Sequence, residues 1–228
     1  MKLCVIPARG GSKRIPRKNI KEFLGKPIIS YSILTAINSK LFDKVIVSTD
    51  DAEIAELAMQ YGAEVPFIRP QNISDDYATT IDVINHAISF YQSSNIQVEL
   101  VCCLYATAPF ITIDDLLQGY KFLQADTDYV FTATEFSFPI WRGFKINADG
   151  FTEMLWPENY SKRSQDLEKV YHDAGMMYYG RPEAFLKFKP IFGKSSKIIP
   201  LPHYRVQDID TFDDWLRAEV MYRMIYEK

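Results

Sequence analysis

Short apolar runs alternate with amphipathic stretches of helical length, and this alternation constrains the fold more than any other feature of the chain. Five β-branched, apolar runs predict strands at Leu3–Ile6, Lys44–Val47, Glu64–Ile68, Leu100–Leu104 and Tyr129–Thr134. Helical periodicity predicts helices between them at about 27–39, 51–61, 78–92 and 112–124. Strand–helix–strand repetition at this spacing indicates an α/β fold with three layers and a mainly parallel sheet.

The position of a ligand site follows from this pattern. In open α/β sheets, ligands bind beyond the carboxyl ends of the strands. The loops after Ile6, Val47 and Leu104 are therefore expected to lie at one edge of the sheet. Asp50 and Thr112 each precede a predicted helix and are expected to be its N-cap.

The alternation stops over about 136–180, where the chain becomes rich in aromatic residues. Asn147–Gly150 is a predicted turn between two short strands, Phe144–Ile146 and Phe151–Leu155, and Met176–Tyr179 is another strand candidate. We interpret 136–180 as a small β-rich excursion from a single domain that covers all 228 residues. Its aromatic surface either contacts a second copy in a homodimer or covers the main core.

The composition excludes several classes of function. With 26 Lys and Arg against 29 Asp and Glu, the net charge is −3, and the basic field of a nucleic-acid-binding protein is absent. No run approaches the roughly 18 apolar residues of a membrane helix, and the first apolar run ends at Pro7, too early for a signal peptide. Cys4, Cys102 and Cys103 lack CxxC spacing, which predicts buried thiols in a reducing, cytoplasmic compartment.

Positive charge is concentrated directly after the first predicted strand. Residues 9–21 contain no acid and the following cations: Arg9, Lys13, Arg14, Arg17, Lys18 and Lys21. Gly10 and Gly11 let the backbone approach a ligand, and successive N–H groups can bind an anion. Arg9 can clamp phosphate oxygens in a bidentate manner, whereas Lys13 and Lys18 can hold different phosphates of one triphosphate. The alternative is a mobile basic loop without a ligand.

Asp208 and Asp210 form a second candidate site, just before a last predicted helix at roughly 211–227. In an extended segment these residues face the same way, roughly 6.5–7 Å apart along the backbone. Two such carboxylates repel each other unless a cation lies between them, and oxygen ligands suit Mg²⁺. The alternative is that the acids of this region cap the helix and compensate its dipole.

Weaker candidates lie elsewhere in the chain. Arg69 follows a predicted strand, and Asp76–Thr80 opens a helix. His172 can bind a substrate or act as an acid or base, although a lone histidine is more often structural. Arg163–Asp166 is a polar segment that suits either an acidic sugar or a surface ion pair.

The segment Ile6–Asn19 resembles the signature of cytidylyltransferases that activate nine-carbon sialic-type sugars, the CMP-N-acetylneuraminate synthetases and their relatives. Further similarity occurs at Val47–Asp50, Arg69–Pro70, Asp76–Thr80, Leu104–Pro109, Asp173–Gly175 and Asp208–Thr211. The resemblance implies a Rossmann-like nucleotidyltransferase sheet and a homodimer whose excursions cross to the partner. It also implies CTP as donor, a nonulosonic acid as the second substrate and Mg²⁺ as cofactor.

Two segments point to one branch of this family. Leu104–Pro109 reads LYATAP where N-acetylneuraminate enzymes usually have LQPTSP, and Lys13–Lys18 lacks the glycine that tends to follow the first lysine. Together with Arg163–Leu167 and Tyr171–Gly175, these segments resemble the branch that activates pseudaminic acid. Met176–Met177 departs from that branch, so a related nonulosonic acid stays open as the substrate.

The resemblance implies that the anomeric hydroxyl of an α-keto sugar acid attacks the α-phosphorus of CTP, which gives a CMP-sugar and pyrophosphate. It implies catalytic roles for Arg9, Lys13 and Lys18 and a metal site at Asp208 and Asp210. The implied nucleotide ligands are Ala8, Arg9, Gly10, Gly11, Ser12, Lys13, Lys18, Asn19, Arg69, Thr80 and Tyr105. The implied sugar ligands are Arg163, Gln165, His172 and Asp173. The alternatives are a synthetase for N-acetylneuraminate, legionaminate or 3-deoxy-octulosonate, or a non-catalytic nucleotide-binding relative.

Overall fold

A six-stranded sheet with helices on both faces forms the centre of the computed structural model, which describes residues 1–227. The strands are β1 (Lys2–Pro7), β2 (Glu22–Phe23), β3 (Lys26–Pro27), β4 (Lys44–Ser48), β5 (Leu100–Leu104), β6 (Tyr129–Glu135), β7 (Phe144–Ile146), β8 (Thr152–Met154), β9 (Tyr171–Gly180) and β10 (Ser196–Pro200). The helices are α1 (Ile28–Asn38), α2 (Ala52–Gln60), α3 (Thr80–Ser93), α4 (Ile113–Phe122), α5 (Pro182–Leu186) and α6 (Phe212–Tyr226). No helix in this range is long and apolar enough to cross a membrane.

The strand order of the central sheet is β10-β6-β9-β5-β1-β4. β1 pairs in parallel with β4 and β5, β10 pairs in parallel with β6, and β9 is antiparallel to both of its neighbours. The predicted α/β class and mainly parallel sheet are therefore confirmed. β1, β4 and β5 end at the same edge, where the Ala8 amide donates to the carbonyl of Ser48 at 2.9 Å.

Each face of the sheet has its own apolar core, because the strands carry apolar residues on both sides. One core contains Cys4 and Cys102 and packs against α1, α2, α4 and α6, while the other contains Cys103 and packs against α3 and α5. The three thiols are buried and unpaired, as predicted. Burial raises the pKa of Cys102 and Cys103 well above the usual range, which keeps them protonated and unreactive.

Two local predictions are wrong. Glu64–Ile68 is not a strand: its backbone pairs with β4 and the residue after it only at the isolated bridges Ile46–Glu64 and Thr49–Ile68. Pro66 lies between the two bridges and has no N–H to donate to a ladder. Asp51, not Asp50, caps α2 and accepts from the Ile54 amide at 3.0 Å.

The predicted cap of α4 is confirmed. Thr112 accepts from the backbone of Asp115, and the Asp115 side chain accepts from the backbone of Thr112, which completes a capping box.

The segment that leaves the central sheet ends earlier in the chain than predicted. β9 lies between β5 and β6 in the central sheet, so the segment outside the sheet is 136–170 rather than 136–180. The predicted turn at Asn147–Gly150 does join two short strands, β7 and β8, and Gly150 there has a φ of +84°. The hairpin exposes large apolar side chains, with Phe144 63%, Ile146 73% and Phe151 71% accessible.

The last predicted helix is present as α6, but only part of its apolar surface is buried. Trp215 packs in the core and Ile225 lies against it. Phe212, Leu216 and Val220, which a continuous apolar face would bury, are all more than half exposed.

Candidate active site

A cavity of about 670 Å³ opens at the carboxyl ends of β1 and β5. Its wall comes from the loop after β1, the segment before α3, the residues after β5 and the segment before α6. The following predicted nucleotide ligands line it: Arg9, Ser12, Lys13, Lys18, Asn19, Arg69, Thr80 and Tyr105. Residues distant in sequence thus meet at the sheet edge that the strand pattern predicts.

Three further predicted nucleotide ligands, Ala8, Gly10 and Gly11, do not line the cavity, and the first two anchor the loop after β1. Ala8 is buried and bonded to β4 through its amide. The Gly10 amide donates to Oδ1 of Asp50 at 3.0 Å. A Cβ at Gly10 would lie 2.6 Å from Oδ2 of Asp51, so this close approach requires glycine. Gly11 is not part of the cavity lining, and a Cβ there would meet no atom within 4 Å.

Only four of the six cations in residues 9–21 line the cavity: Arg9, Lys13, Arg14 and Lys18. Arg17 has a φ of 57° and is turned towards α2, where its guanidinium pairs with Asp51 and Glu53. The hydrogen bond between Arg17 and Asp51 raises the pKa of Arg17 and lowers the pKa of Asp51. Lys21 lies over the ring of Trp215, 5.5 Å from its centroid.

Each of these four loop cations is paired with an acid. Arg9 lies 2.8 Å from the Asp76 carboxylate, which also contacts Lys13. Two hydrogen bonds lower the pKa of Asp76. The bond from Lys13 has the larger effect, and the bond from Arg9 has the next largest.

The Asp210 carboxylate, which also lines the cavity, lies 2.8 Å from Arg14 and 3.3 Å from Lys18. A triphosphate in this cavity therefore competes with Asp76 and Asp210 for the same N–H donors.

We expect Asp76→Asn to strengthen the binding of CTP and of inorganic pyrophosphate by about threefold, because a neutral side chain no longer competes for Arg9 and Lys13. Titration calorimetry at low and at high salt measures this effect, and the gain should shrink as salt screens the charges. Glu53→Gln is the matched control, since Glu53 pairs with Arg17 outside the cavity. Weaker binding by Asp76→Asn would show that Asp76 assists the ligand instead of competing with it.

The two aspartates before α6 differ in position. Asp210 lines the cavity. Asp208 does not line it, and Asp208 is exposed to solvent. The pKa of Asp208 is raised, first by desolvation and then by the negative charge of Asp210. The N-cap of α6 is Thr211, which forms a capping box with Asp214, so Asp208 and Asp210 do not perform this role.

Among residues 1–227 no group of three or more acidic, histidine or cysteine side chains is arranged to hold a metal ion. The twin carboxylates nevertheless suit a divalent cation, since they are oxygen donors and their mutual repulsion destabilises the charged form of Asp208. Any further ligands would have to be phosphate oxygens and water, as is usual for Mg²⁺.

Arg69 forms the deep wall of the cavity and is 4% exposed. Its Nε donates to Oγ of Ser74 at 3.2 Å, and its Nη2 lies 3.7 Å from Oδ1 of Asp50. Burial lowers the pKa of Arg69, and the charge of Asp50 partly offsets this effect. Asp50 thus contacts both Gly10 of the loop after β1 and the buried guanidinium of Arg69.

None of the four predicted sugar ligands lines this cavity. Gln165 lines a second cavity of about 330 Å³ in the excursion, and Arg163 pairs with Asp166. His172 packs against Phe136 with ring centroids 4.9 Å apart. Asp173 accepts hydrogen bonds from the Gly175 amide at 3.0 Å and from the Tyr178 hydroxyl. Their sugar-binding roles stay predictions.

The sequence profile of the cytidylyltransferase family matches residues 3–204. The chain belongs to this family. It is 51% identical over 226 residues to a pseudaminic acid cytidylyltransferase of Campylobacter jejuni, covering 99% of this chain and 97% of the relative. It is 29% identical to a CMP-N,N'-diacetyllegionaminic acid synthase of Legionella pneumophila, covering 99% and 97% of the two chains.

Comparison with solved structures supports the fold. A CMP:2-keto-3-deoxy-manno-octonic acid synthetase complexed with CTP aligns with a TM-score of 0.70 at 17% identity, covering 98% of this chain and 99% of the other. The family assignment confirms the predicted nucleotidyltransferase class. The cation-lined cavity at the sheet edge is therefore the candidate active site of a cytidylyltransferase.

Proposed function

We propose that this enzyme couples CTP to pseudaminic acid and releases pyrophosphate and CMP-pseudaminic acid. The observation that carries the proposal is the 51% identity, over nearly the whole of both chains, to a pseudaminic acid cytidylyltransferase. Identity to the diacetyllegionaminic acid synthase is much lower at comparable coverage. Five cations line the cavity, four from the loop after β1 and Arg69, and they supply the charge that a triphosphate requires.

In this proposal the anomeric hydroxyl of the sugar acid releases its proton to solvent and attacks the α-phosphorus of CTP, the α–β phosphoanhydride bond breaks and pyrophosphate leaves. Catalysis depends mainly on positioning and on neutralisation of negative charge. Arg9 and Lys18 hold the phosphates, and Lys13 stabilises the negative charge that develops on the leaving pyrophosphate. Asn19 fixes the loop, because its side-chain amide donates to the carbonyl of Arg9 at 3.0 Å.

Asp208 and Asp210 would hold Mg²⁺ in this proposal. When bound, the ion would neutralise phosphate charge and polarise the reacting phosphoryl group. Asp210 also orients the cavity cations, since Lys18 contacts both its carboxylate and the carbonyl of Ile209, the latter at 2.6 Å.

The proposal is tested by incubating the enzyme with CTP, Mg²⁺ and one sugar acid at a time, and by measuring both CMP-sugar and pyrophosphate. The panel is pseudaminic acid, N-acetylneuraminate, diacetyllegionaminate and 3-deoxy-octulosonate. We expect the highest kcat/KM with pseudaminic acid. A preference for another acid would assign the enzyme to that substrate, and CTP binding without turnover of any acid would identify a non-catalytic relative.

The excursion at 136–170 is proposed to mediate a homodimer and to carry sugar-binding residues to the partner. Its hairpin exposes Phe144, Ile146 and Phe151, and its Arg163 and Gln165 lie outside the cavity of their own chain. An interface there would bury this apolar surface, which monomeric proteins rarely leave exposed as one patch.

The buried, unpaired thiols support a cytoplasmic location.

We expect the double substitution Phe144→Glu and Ile146→Glu to convert a dimer into a monomer, because it introduces four charges into a two-fold symmetric contact. Light scattering coupled to size exclusion measures the mass directly. Met59→Glu is the control, since Met59 is 54% exposed on α2, away from the hairpin. A double variant that keeps the parental mass would place the interface elsewhere.

A further inference from the structure

The last helix, α6, carries apolar side chains on two opposite sides. The first set packs into the core and consists of Trp215, Ala218, Tyr222 and Ile225. The second set is exposed, and its members are Phe212 (53% exposed), Leu216 (59%), Val220 (58%) and Met224 (78%). Residues four apart are neighbours on a helix, so the second set forms one continuous row, which we call the exposed row. A single exposed apolar residue is ordinary, but a contiguous apolar patch marks a surface that binds a partner.

Charged side chains border the exposed row on both sides. At about 3.6 residues per turn, Asp213 and Arg217 lie along one border, and Glu219 and Arg223 lie along the other. On each border the acid therefore precedes an arginine by four residues. Asp213, Arg217 and Arg223 are exposed, and Glu219 is half-buried. This order of charges makes each border complementary to a copy of itself that runs in the opposite direction.

The contacts that the second border makes within its own helix leave it free to bind another chain. Oε1 of Glu219 accepts from Nε1 of Trp215 at 3.0 Å, which leaves Oε2 for a further partner. Nε of Arg223 lies 3.9 Å from the Glu227 carboxylate, and both of these side chains are more than half exposed. Exposed ion pairs of this kind contribute little to stability, so Arg223 can exchange its partner at low cost.

The charge pattern selects the direction of a second α6 helix. In an antiparallel pair related by a two-fold axis, equivalent borders meet, so Asp213 faces Arg217 of the second copy. Glu219 likewise faces Arg223 of the second copy. In a parallel pair, opposite borders meet instead. Asp213 would then face Glu219 of the second copy and Arg217 would face its Arg223, and both contacts bring like charges together.

The apolar side chains match in the same antiparallel arrangement. Rows of residues four apart interlock when two helices cross at about −50°. With the two-fold axis near residue 218, Phe212 packs against Met224 of the second copy, and Leu216 packs against its Val220. Eight side chains from each copy are fewer than the roughly 20–30 residues per side of a standard interface, so we expect the association to depend on protein concentration.

We propose that the exposed row of α6 binds the same row of a second copy of this chain, antiparallel and across a two-fold axis. This contact uses none of the hairpin residues of the proposed homodimer, and it does not depend on the identity of the sugar acid. If both contacts form, they join two dimers into a tetramer.

Sedimentation equilibrium over a wide range of protein concentration tests the apolar contact. Leu216→Glu combined with Val220→Glu should halve the largest mass that the parent chain reaches, because four carboxylates then enter the contact. Met59→Glu is the control, since Met59 is similarly exposed on α2 and should keep the parental mass. Melting temperatures verify that the variants are folded.

The charged borders are tested without changing the apolar row. Asp213→Arg places two cations on one border, and Arg217→Asp places two acids there. Each variant alone should self-associate about tenfold more weakly than the parent, because like charges then face each other. An equimolar mixture of the two variants should regain the parental affinity, since each then faces a border of opposite charge. High salt should reduce both effects.

Two results would overturn the inference. An unchanged mass of the Leu216→Glu and Val220→Glu variant would assign the exposed row to a different protein. A mixture of the two charge variants that associates no better than each variant alone would exclude the antiparallel pair. A loss of mass confined to the hairpin substitutions would support the proposed homodimer and refute the α6 contact, so the two interfaces can fail separately.

Discussion

Replacing Lys18 by alanine should lower kcat/KM by at least about a hundredfold and reduce the free energy of unfolding by only about 1 kcal/mol. Lys18 lies on the wall of the cavity, and its Nζ contacts the Ile209 carbonyl at 2.6 Å and Asp210 at 3.3 Å. The same ammonium is proposed to hold the triphosphate, and its removal leaves the negative charge of the transition state without a fixed donor. Its contacts within the protein are partly exposed, which limits the loss of stability.

The measurement is steady-state kinetics together with chemical unfolding of the same preparation. Lys44→Ala is the matched control, because Lys44 forms an ion pair with Glu64 at the sheet edge and does not line the cavity. If Lys18→Ala loses activity only in proportion to the fraction unfolded, then Lys18 has a structural role and the proposed phosphate contact is wrong.

Asp208→Asn should change activity and stability in opposite directions. Activity at a fixed, limiting Mg²⁺ concentration should fall by about a hundredfold or more, because one of the two proposed metal-binding carboxylates is lost. Thermal stability without Mg²⁺ should rise slightly. The raised pKa of Asp208 means that the folded protein disfavours its ionised form, and a neutral amide removes that penalty at pH 7.

The rate should be measured as a function of Mg²⁺ concentration, with melting temperatures in the presence of a chelator. Asp210→Asn should also weaken Mg²⁺ activation, but it releases Arg14 and Lys18 and so gives no gain in stability. Asp213→Asn is the control, since Asp213 lies on α6 and does not line the cavity. Overlapping Mg²⁺ titrations of the parent and the Asp208 and Asp210 variants would refute the metal role.

The sequence predicts the architecture well where local signals and burial agree. Every predicted helix is present, and β1 and β5 follow from apolar runs that are buried on both faces. Glu64–Ile68 has the composition of a strand, but Pro66 prevents a continuous ladder at this edge. The central position of β9 depends on long-range pairing with β5 and β6, which no local pattern reveals.

The site could be predicted only in part, for a similar reason. The composition of residues 9–21 identifies a cationic loop but not the left-handed turn at Arg17 that takes one guanidinium away from the cavity. Asp76 pairs with Arg9 and Lys13 across more than 60 residues, so its role depends on the folded structure. Two adjacent acids, Asp75 and Asp76, before a helix that opens at the sheet edge were the available signal.

The cationic loop after β1 is proposed to hold the triphosphate opposite Asp208 and Asp210. A crystal structure with CTP and Mg²⁺ tests this arrangement most directly. We predict phosphate oxygens within hydrogen-bond distance of Arg9 and Lys18, a magnesium ion between the triphosphate and the two aspartates, and Asp76 displaced from Arg9. A triphosphate bound elsewhere, with the Arg9–Asp76 pair intact, would contradict the account.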